Sequence, residues 1–237
     1  MNMTWFSSRS RWGWLAELAG KIALVIFFGS GATHKTLAIA SLLRQWETVE
    51  VATRWTYLAA HVCGLAFLVL IIGMTIVRYP PLRSAEGLEP RLSALAGTFL
   101  AGALSLLPPV SIAPGVTIAA VGLSALGALF STYVLLWLGR SFSIMAQARK
   151  LVTSGPYRVV RHPLYCAEAL MALGLTLLVL SPAAVAILLV QAGFQLRRMF
   201  NEEKVLRTQF PDYEDYAARV PMLIPRLFGR RREKVLP

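Results

Sequence analysis

Three long stretches of this chain carry no Asp, Glu, Lys or Arg, and they constrain its fold more than any other feature. They run from Thr56 to Val77, from Leu92 to Ala113 and from Gly115 to Gly139. A helix needs roughly 20 predominantly apolar residues to cross the hydrocarbon core of a bilayer. Each stretch is therefore predicted to form a membrane-spanning helix. A mean hydropathy of +0.58, with only 15% charged residues, agrees with this prediction for the whole chain.

Three further apolar segments are long enough to be considered as spans. They are Lys21 to Leu43, Leu164 to Ser181 and Ala183 to Leu196. Pro182 separates the last two, and proline lacks the backbone N–H that a continuous helix requires. This pair is predicted to form a tight C-terminal helical hairpin. The sequence thus predicts about six transmembrane helices.

The backbone chemistry of a bilayer restricts the fold class further. Only helices and closed barrels satisfy every backbone polar group inside hydrocarbon, and no sustained two-residue alternation of apolar side chains is present outside the spans. We therefore predict an all-α, polytopic integral membrane protein. The early apolar run lacks a small-residue cleavage site, so no removable signal peptide is predicted.

The positive charges of the chain are clustered, and the clusters indicate which side of the membrane they face. The formal net charge is +12. Cytoplasmic connections are enriched in Lys and Arg, so both clusters are predicted to face the cytoplasm, with both termini on that side of a bacterial inner membrane. Each cation near anionic headgroups contributes about 1 kcal/mol, so membrane lipids explain these clusters and no nucleic acid partner is predicted. The clusters are Arg140, Arg149, Lys150, Arg158 and Arg161, and Arg226, Arg230, Arg231, Arg232 and Lys234.

Cysteine and histidine residues are few and scattered. Cys63 and Cys166 lie in or at the start of apolar segments, and His34 and His61 stand apart from any acid or thiol at ligand spacing. Buried cysteine usually behaves as a small packing residue, although Cys166 could also line a pocket near the polar segments. No metal site is predicted.

Several separated motifs occupy the segment from Leu138 to Pro225. The motifs are Phe142–Gln147, Leu151–Tyr157, Arg161–Tyr165, Arg198, Glu202–Glu203, Tyr213–Tyr216 and Arg219–Pro221. In order and spacing they resemble the isoprenylcysteine carboxyl methyltransferase family, which is related to the phospholipid methyltransferases. The N-terminal half shows only generic apolar spans.

This resemblance implies both an organisation and a set of site residues. It implies N-terminal transmembrane helices in residues 1–137 and a methyltransferase region in residues 138–237, integrated into one membrane domain. In that family, C-terminal segments enclose S-adenosylmethionine near the cytosolic face, and a lipophilic acceptor enters from the membrane. Arg198, which would position the acceptor, and Glu202 are the implied catalytic residues. The implied cofactor contacts are Gln147, Leu151, Val152, Tyr157, His162, Pro163, Tyr165 and Glu202.

The residue types fit the chemistry of this cofactor. S-adenosylmethionine carries a sulfonium cation, which aromatic faces and carboxylates attract, so Tyr157, Tyr165 and Glu202 are suitable partners. Arg198 and Glu202 are four residues apart and share one helix face. Such a pair can also be an ordinary interfacial ion pair, but the surrounding motifs favour a functional one. Glu168 stands one turn into a span, where an acid is usually functional or paired, and it is a predicted substrate-binding residue.

Three functions remain open at this point. The first is methylation of a lipophilic carboxylate, such as that of a prenylated cysteine or peptide. The second is methylation of a phospholipid amine, with Glu168 or Glu203 as the base, or of a small hydrophobic thiol or acid. The third is a noncatalytic membrane protein that binds lipids.

Two groups of polar residues have alternative interpretations. Tyr213, Tyr216 and Arg219 could cover the cofactor as a cytosolic flap or lie at the lipid interface. Arg158 and Arg161 could contact the cofactor carboxylate or lipid headgroups.

Overall fold

A computed structural model describes residues 11–108 and 110–225 of the chain. It is built from helices, so the predicted all-α class is confirmed. The predicted basic cluster from Arg226 to Lys234 lies outside the described residues. The helices are α1 (Arg11–Arg44), α2 (Val51–Val77), α3 (Glu89–Phe99), α4 (Pro114–Leu138), α5 (Pro163–Leu178), α6 (Pro182–Gln209) and α7 (Tyr213–Arg219).

The described residues include four helices that are long and apolar enough to cross a membrane, which confirms a polytopic membrane protein. They are α1, α2, α4 and α6. The shorter apolar helix α5 corresponds to the fifth predicted span. The last span was predicted to end near Leu196, but α6 continues to Gln209 and carries Arg198, Glu202 and Glu203 on one rigid element.

The segment predicted as one span from Leu92 to Ala113 is not a continuous α-helix. Helix α3 ends at Phe99, and a 3-10 helix follows over Leu100–Leu106. Glycines in this stretch lower its helix propensity, and Pro108 cannot donate the next backbone hydrogen bond. This segment is therefore not among the four helices of the described residues that are long and apolar enough to cross a membrane.

Prolines mark the starts of three of these helices. Pro114, Pro163 and Pro182 each occupy the first helical position, where no backbone N–H is required and the fixed φ suits the helix. The Ser181 side chain caps α6 by accepting a hydrogen bond from the Ala184 N–H at 3.2 Å. The predicted break at Pro182 is thus real. The two arms nevertheless have different main partners, since α5 packs mainly on α4 and α6 mainly on α3.

A short antiparallel ladder ties two connections together at one end of the bundle. Strand β1 (Arg83–Ser84) follows α2, and strand β2 (Gln147–Ala148) follows α4. Arg83 pairs with Ala148, and Ser84 pairs with Gln147. These strands could not be predicted from the sequence because each is only two residues long. The ladder holds the two connections at the same face of the bundle.

Small residues allow α4 and α5 to approach closely. A Cβ on Gly127 would lie 2.5 Å from the Met171 backbone nitrogen, and a Cβ on Gly174 would lie 2.5 Å from the Ala120 carbonyl oxygen. In lipid, where no hydrophobic force draws helices together, such close backbone packing is a main source of association. This contact fixes the first residues of α5, which belong to the polar segments described below.

We expect Gly174→Ala to destabilise the protein by about 1–3 kcal/mol, because the added methyl group overpacks a rigid backbone contact. The measurement is thermal unfolding of the purified protein in detergent. Gly122→Ala on α4 is the matched control, since a Cβ at Gly122 meets nothing within 4 Å. Equal melting temperatures for the two variants would contradict the proposed role of close α4–α5 packing.

Candidate active site

A pocket opens at one end of the bundle, lined by residues from the end of α4, the start of α5 and the second half of α6. The connection after α4, including β2 and a 3-10 turn over Gly155–Arg158, forms one wall, and α7 forms another. Gly155 adopts a φ of +59°, and a Cβ there would lie 2.3 Å from Cδ2 of the Trp137 ring, so glycine is required at this turn. The residues that line the pocket include Ser143, Gln147, Leu151, Val152, Tyr157, His162, Tyr165, Arg198, Glu202, Tyr213 and Tyr216.

Arg198 lies at the base of this pocket, and only 3% of the residue is exposed. Its Nη1 donates to Thr98 Oγ1 at 3.1 Å, and its Nη2 donates to the Ser143 carbonyl oxygen at 3.2 Å. Its Nε lies 3.4 Å from Glu202 Oε1 and makes no hydrogen bond within the described part of the chain. Helix α3, the connection after α4 and helix α6 together hold this one cation.

Tyr165 and Glu202 line the pocket beside Arg198. The Tyr165 hydroxyl donates to Glu202 Oε1 at 2.5 Å. The Arg198 Cζ lies 4.9 Å from the centre of the Tyr165 ring, within the range of a cation–π contact. The three side chains therefore form one unit in which an aromatic face, a carboxylate and a guanidinium all border the same space.

Glu203 has a different role from its neighbour Glu202. Its side chain is 8% exposed and accepts hydrogen bonds from four side chains on three elements. Adjacent helix residues point about 100° apart, which directs Glu202 to the pocket and Glu203 to the surrounding polar shell. The donors are Arg161 Nε at 2.7 Å and Nη2 at 3.1 Å, His162 Nε2 at 3.0 Å, Tyr213 Oη at 2.8 Å and Arg207 Nη2 at 3.2 Å.

Arg161 connects this shell to the end of α7. Besides Glu203, its Nη1 donates to the carbonyl oxygens of Ala217 at 2.9 Å and Val220 at 2.7 Å. A cation is favourable at a helix C-terminus, where unpaired carbonyls carry partial negative charge. Arg161 borders the pocket, but its donors hold α7 in place.

Tyrosines of α7 close one side of the pocket. The Tyr216 hydroxyl donates to the Tyr157 carbonyl oxygen at 2.7 Å, and the Tyr213 ring packs edge-on against Tyr216. Burial raises the pKa of Tyr216 to about 12 and raises the pKa of Tyr157 and Tyr213 well above the ordinary value. All three phenols stay neutral at physiological pH, and the hydroxyls of Tyr213 and Tyr216 donate hydrogen bonds.

Most of the residues implied by the sequence border this one pocket. Gln147, Leu151, Val152, Tyr157, His162, Tyr165, Arg198 and Glu202 line it. Pro163 does not line it and is buried at the start of α5. Glu168 is also outside the lining, and it accepts a hydrogen bond from Gln195 Nε2 at 2.9 Å. Of the possible flap residues, Tyr213 and Tyr216 line the pocket while Arg219 does not.

Two side chains that hold Arg198 were not identified from the sequence. Thr98 comes from α3, a region with only generic apolar character, and Gln195 lies one turn before Arg198. An amide at a buried position of a membrane helix was the available signal for Gln195. Nothing in the sequence distinguished Thr98 from other threonines. Cys166 does not line the pocket, and its Sγ donates to the Leu223 carbonyl oxygen at 3.7 Å.

Part of this chain, including most of the pocket, is similar to known methyltransferases. Residues 115–213 match the family model described as phospholipid methyltransferase. The Arabidopsis thaliana protein-S-isoprenylcysteine O-methyltransferase B is 33% identical over 107 residues, covering 42% of this chain and 54% of that protein. These matches confirm the predicted relationship to the isoprenylcysteine carboxyl methyltransferases and the related phospholipid methyltransferases.

Two bacterial relatives carry other names. The cobalt-zinc-cadmium resistance protein CzcN of Cupriavidus metallidurans is 39% identical over 84 residues, which cover 35% of this chain and 39% of that protein. Methanethiol S-methyltransferase 2 of Bradyrhizobium diazoefficiens is 36% identical over 83 residues, or 32% of this chain and 29% of that protein. The chain thus spans about half or less of the length of these relatives. Among the described residues, no group of three or more His, Cys, Asp or Glu side chains is placed to hold a metal ion.

We expect Glu203→Gln to loosen α7 without removing any pocket-facing charge. Taking one partner from a buried ion pair costs about 3–5 kcal/mol, because Arg161 is left without its carboxylate. The measurement is limited proteolysis of the segment around Phe210, followed by mass spectrometry. Glu214→Gln is the control, since Glu214 also pairs with Arg207 but has a 64% exposed side chain. Cleavage at the same rate in both variants would contradict the role assigned to Glu203.

Proposed function

We propose that this chain is an integral membrane methyltransferase that transfers a methyl group from S-adenosylmethionine to a lipophilic acceptor. We further propose that the acceptor is the carboxylate of an isoprenylcysteine-like compound. The observation that carries this proposal is the meeting of Tyr165, Arg198 and Glu202 in one pocket at the end of membrane-spanning helices. The family match over residues 115–213 supports it.

The side chains of the pocket suit the proposed methyl donor. S-adenosylmethionine, when bound, supplies a methyl group on a sulfonium cation. Tyr157 and Tyr165 offer aromatic surface, and Glu202 offers a carboxylate that is 19% exposed toward the pocket. Leu151 and Val152 offer apolar contacts. In this proposal Gln147 and His162 supply hydrogen bonds, and Pro163 fixes the turn that follows His162.

Arg198 favours an anionic acceptor. A carboxylate has an unperturbed pKa of about 4, so it is already ionised at neutral pH and needs no general base. Arg198 would hold this carboxylate in line with the methyl group, and the buried site would exclude water. An amine acceptor is less well supported, because neither Glu203 nor Glu168 lines the pocket and Glu203 is surrounded by donors.

A small hydrophobic thiol is the second candidate acceptor. One relative, 36% identical, is named methanethiol S-methyltransferase 2. A thiolate is also an anion that Arg198 could hold, but a thiol has an unperturbed pKa of about 8.5 and must first lose its proton. Transfer to a thiol should therefore rise steeply with pH, whereas transfer to a carboxylate should not.

The proposed cellular setting is the bacterial inner membrane, with both termini in the cytoplasm. The basic connection after α4 borders the pocket, which supports a cytoplasmic pocket by the positive-inside rule. The acceptor would then enter from the membrane and the methyl donor from the cytoplasm. In this proposal residues 1–137 supply spans and residues 138–237 supply most of the site, with Thr98 contributed by the first region.

Methyl transfer tests the proposal directly. Purified protein in lipid nanodiscs is incubated with labelled S-adenosylmethionine and, separately, an S-prenylated cysteine, phosphatidylethanolamine and a small hydrophobic thiol. We expect label to be transferred to the prenylated cysteine. Transfer to none of them, together with no calorimetric binding of the demethylated donor, would contradict the proposal and favour a noncatalytic lipid-binding protein.

We expect Glu202→Ala and Arg198→Ala to fail in different ways. Loss of Glu202 should weaken binding of the demethylated donor about tenfold or more, because hydrogen bonds to charged groups contribute roughly 1.5–3 kcal/mol. Loss of Arg198 should leave that affinity nearly unchanged and reduce turnover about 100-fold, as expected for a group that stabilises reacting charge. Calorimetry and labelled-methyl transfer measure the two effects.

Arg197→Ala is the matched control for these two variants. Arg197 is the neighbouring residue on α6, but its side chain is half exposed and pairs with Glu89 at 2.7 Å outside the pocket. Its replacement should leave both donor binding and turnover close to wild type. Equal losses of donor affinity in the Glu202 and Arg198 variants would contradict the division of roles.

A further inference from the structure

We propose that Gln195 is a positioning residue that keeps Arg198 turned toward the pocket by separating it from the second buried acid, Glu168. This inference rests on the proposed function, because it concerns how the acceptor carboxylate is recognised. Gln195 is 9% exposed and lies one turn before Arg198 on the same face of α6.

The two ends of the Gln195 amide contact opposite charges. Its Nε2 donates to Glu168 Oε2 at 2.9 Å, and its Oε1 accepts a long contact of 3.5 Å from Arg198 Nη1. The amide therefore satisfies Glu168 with a neutral donor. Without that donor, the carboxyl group of Glu168 would attract the guanidinium, because an unpaired buried acid is costly.

Residues of α3, α5, α6 and the connection after α4 surround Arg198, but its hydrogen bonds do not prevent it from turning to Glu168. The bonds to Thr98 and Ser143 are 3.1 and 3.2 Å long, and both acceptors are neutral oxygens. A direct ion pair with Glu168 would be stronger than either, since charge-assisted pairs are about twice as strong as neutral hydrogen bonds. Gln195 removes this competing arrangement and leaves the guanidinium beside Tyr165 and Glu202.

Helix α3 leaves the space that Gln195 needs. A Cβ on Gly97 would lie 2.9 Å from Gln195 Oε1 and 3.3 Å from the Gln195 backbone nitrogen. The nearby Gln191 Nε2 donates to the Gly97 carbonyl oxygen at 3.0 Å, which fixes the crossing of α3 and α6. Gly97 does not line the pocket, yet a methyl group there would displace the Gln195 amide.

The consequence for function is selectivity for an anion. With Arg198 turned toward the pocket, an acceptor carboxylate can reach a guanidinium whose Nε has no hydrogen-bond partner among the described residues. With Arg198 paired to Glu168, the same position would present little positive charge, and a neutral acceptor would bind almost as well. Gln195 therefore determines the preference for a carboxylate over an uncharged analogue.

The test compares an S-prenylated cysteine with its carboxamide, which has the same shape without the negative charge. We expect the wild-type protein to bind the carboxylate at least about tenfold more tightly, a difference of 1.4 kcal/mol. Gln195→Met, which keeps the volume and removes both amide contacts, should lose most of this preference and lower turnover. Its affinity for the demethylated methyl donor should stay within about twofold of wild type.

A second substitution distinguishes positioning from general damage. In Gln195→Met/Glu168→Gln the competing charge is removed, so Arg198 should return to the pocket and much of the carboxylate preference should recover. Gly97→Ala should reproduce the Gln195→Met result from another helix, while Gly102→Ala, which meets nothing within 4 Å, should behave as wild type.

Each outcome decides the inference. A Gln195→Met variant that keeps the wild-type preference, or a double variant that recovers nothing, would overturn it while leaving the proposed methyl transfer intact. A wild-type protein that transfers methyl groups to neither compound and binds both equally would contradict the proposed function itself.

Discussion

The structure of the site depends on the burial of one guanidinium group. Arg198 lies in the C-terminal half of α6, a helix long and apolar enough to cross a membrane, and only 3% of the residue is exposed. A cation in such a place must be compensated by nearby groups. Glu202 and Tyr165 provide a carboxylate and an aromatic face, and Thr98 and Ser143 provide neutral oxygens. These partners come from different parts of the chain. The Arg198 guanidinium therefore contacts α3, α5, α6 and the connection after α4 at one place.

Glu203, a second charged group, helps to hold helix α7, which forms one side of the pocket. Glu203 is adjacent to Glu202 in sequence, but it faces Arg161, His162 and Tyr213. Through Arg161 it is linked to the carbonyl groups at the end of α7. Glu202 and Glu203 are adjacent on one helix but have different roles. One presents a negative charge to the pocket, and the other anchors the segment that closes it.

The sequence predicted the membrane class and most of the pocket wall, because both depend on local patterns. Uncharged runs identify spans such as α2 and α4, and short motifs such as Arg161–Tyr165 identify the segments around the pocket. The sequence could not predict that much of the segment 92–113 is divided between α3 and a 3-10 helix. Hydropathy reports how apolar a segment is, but it does not distinguish an α-helix from a 3-10 helix. Nor could it predict the contacts of Thr98, whose partner is 100 residues away and depends on how α3 crosses α6.

The most direct measurement is a structure of the protein in lipid with the demethylated methyl donor bound. The proposed function predicts that this ligand occupies the pocket, with Tyr157, Tyr165 and Glu202 in contact with it and Arg198 still facing the space beside its sulfur atom. A ligand bound elsewhere on the protein, or no bound ligand at saturating concentration, would contradict the central claim.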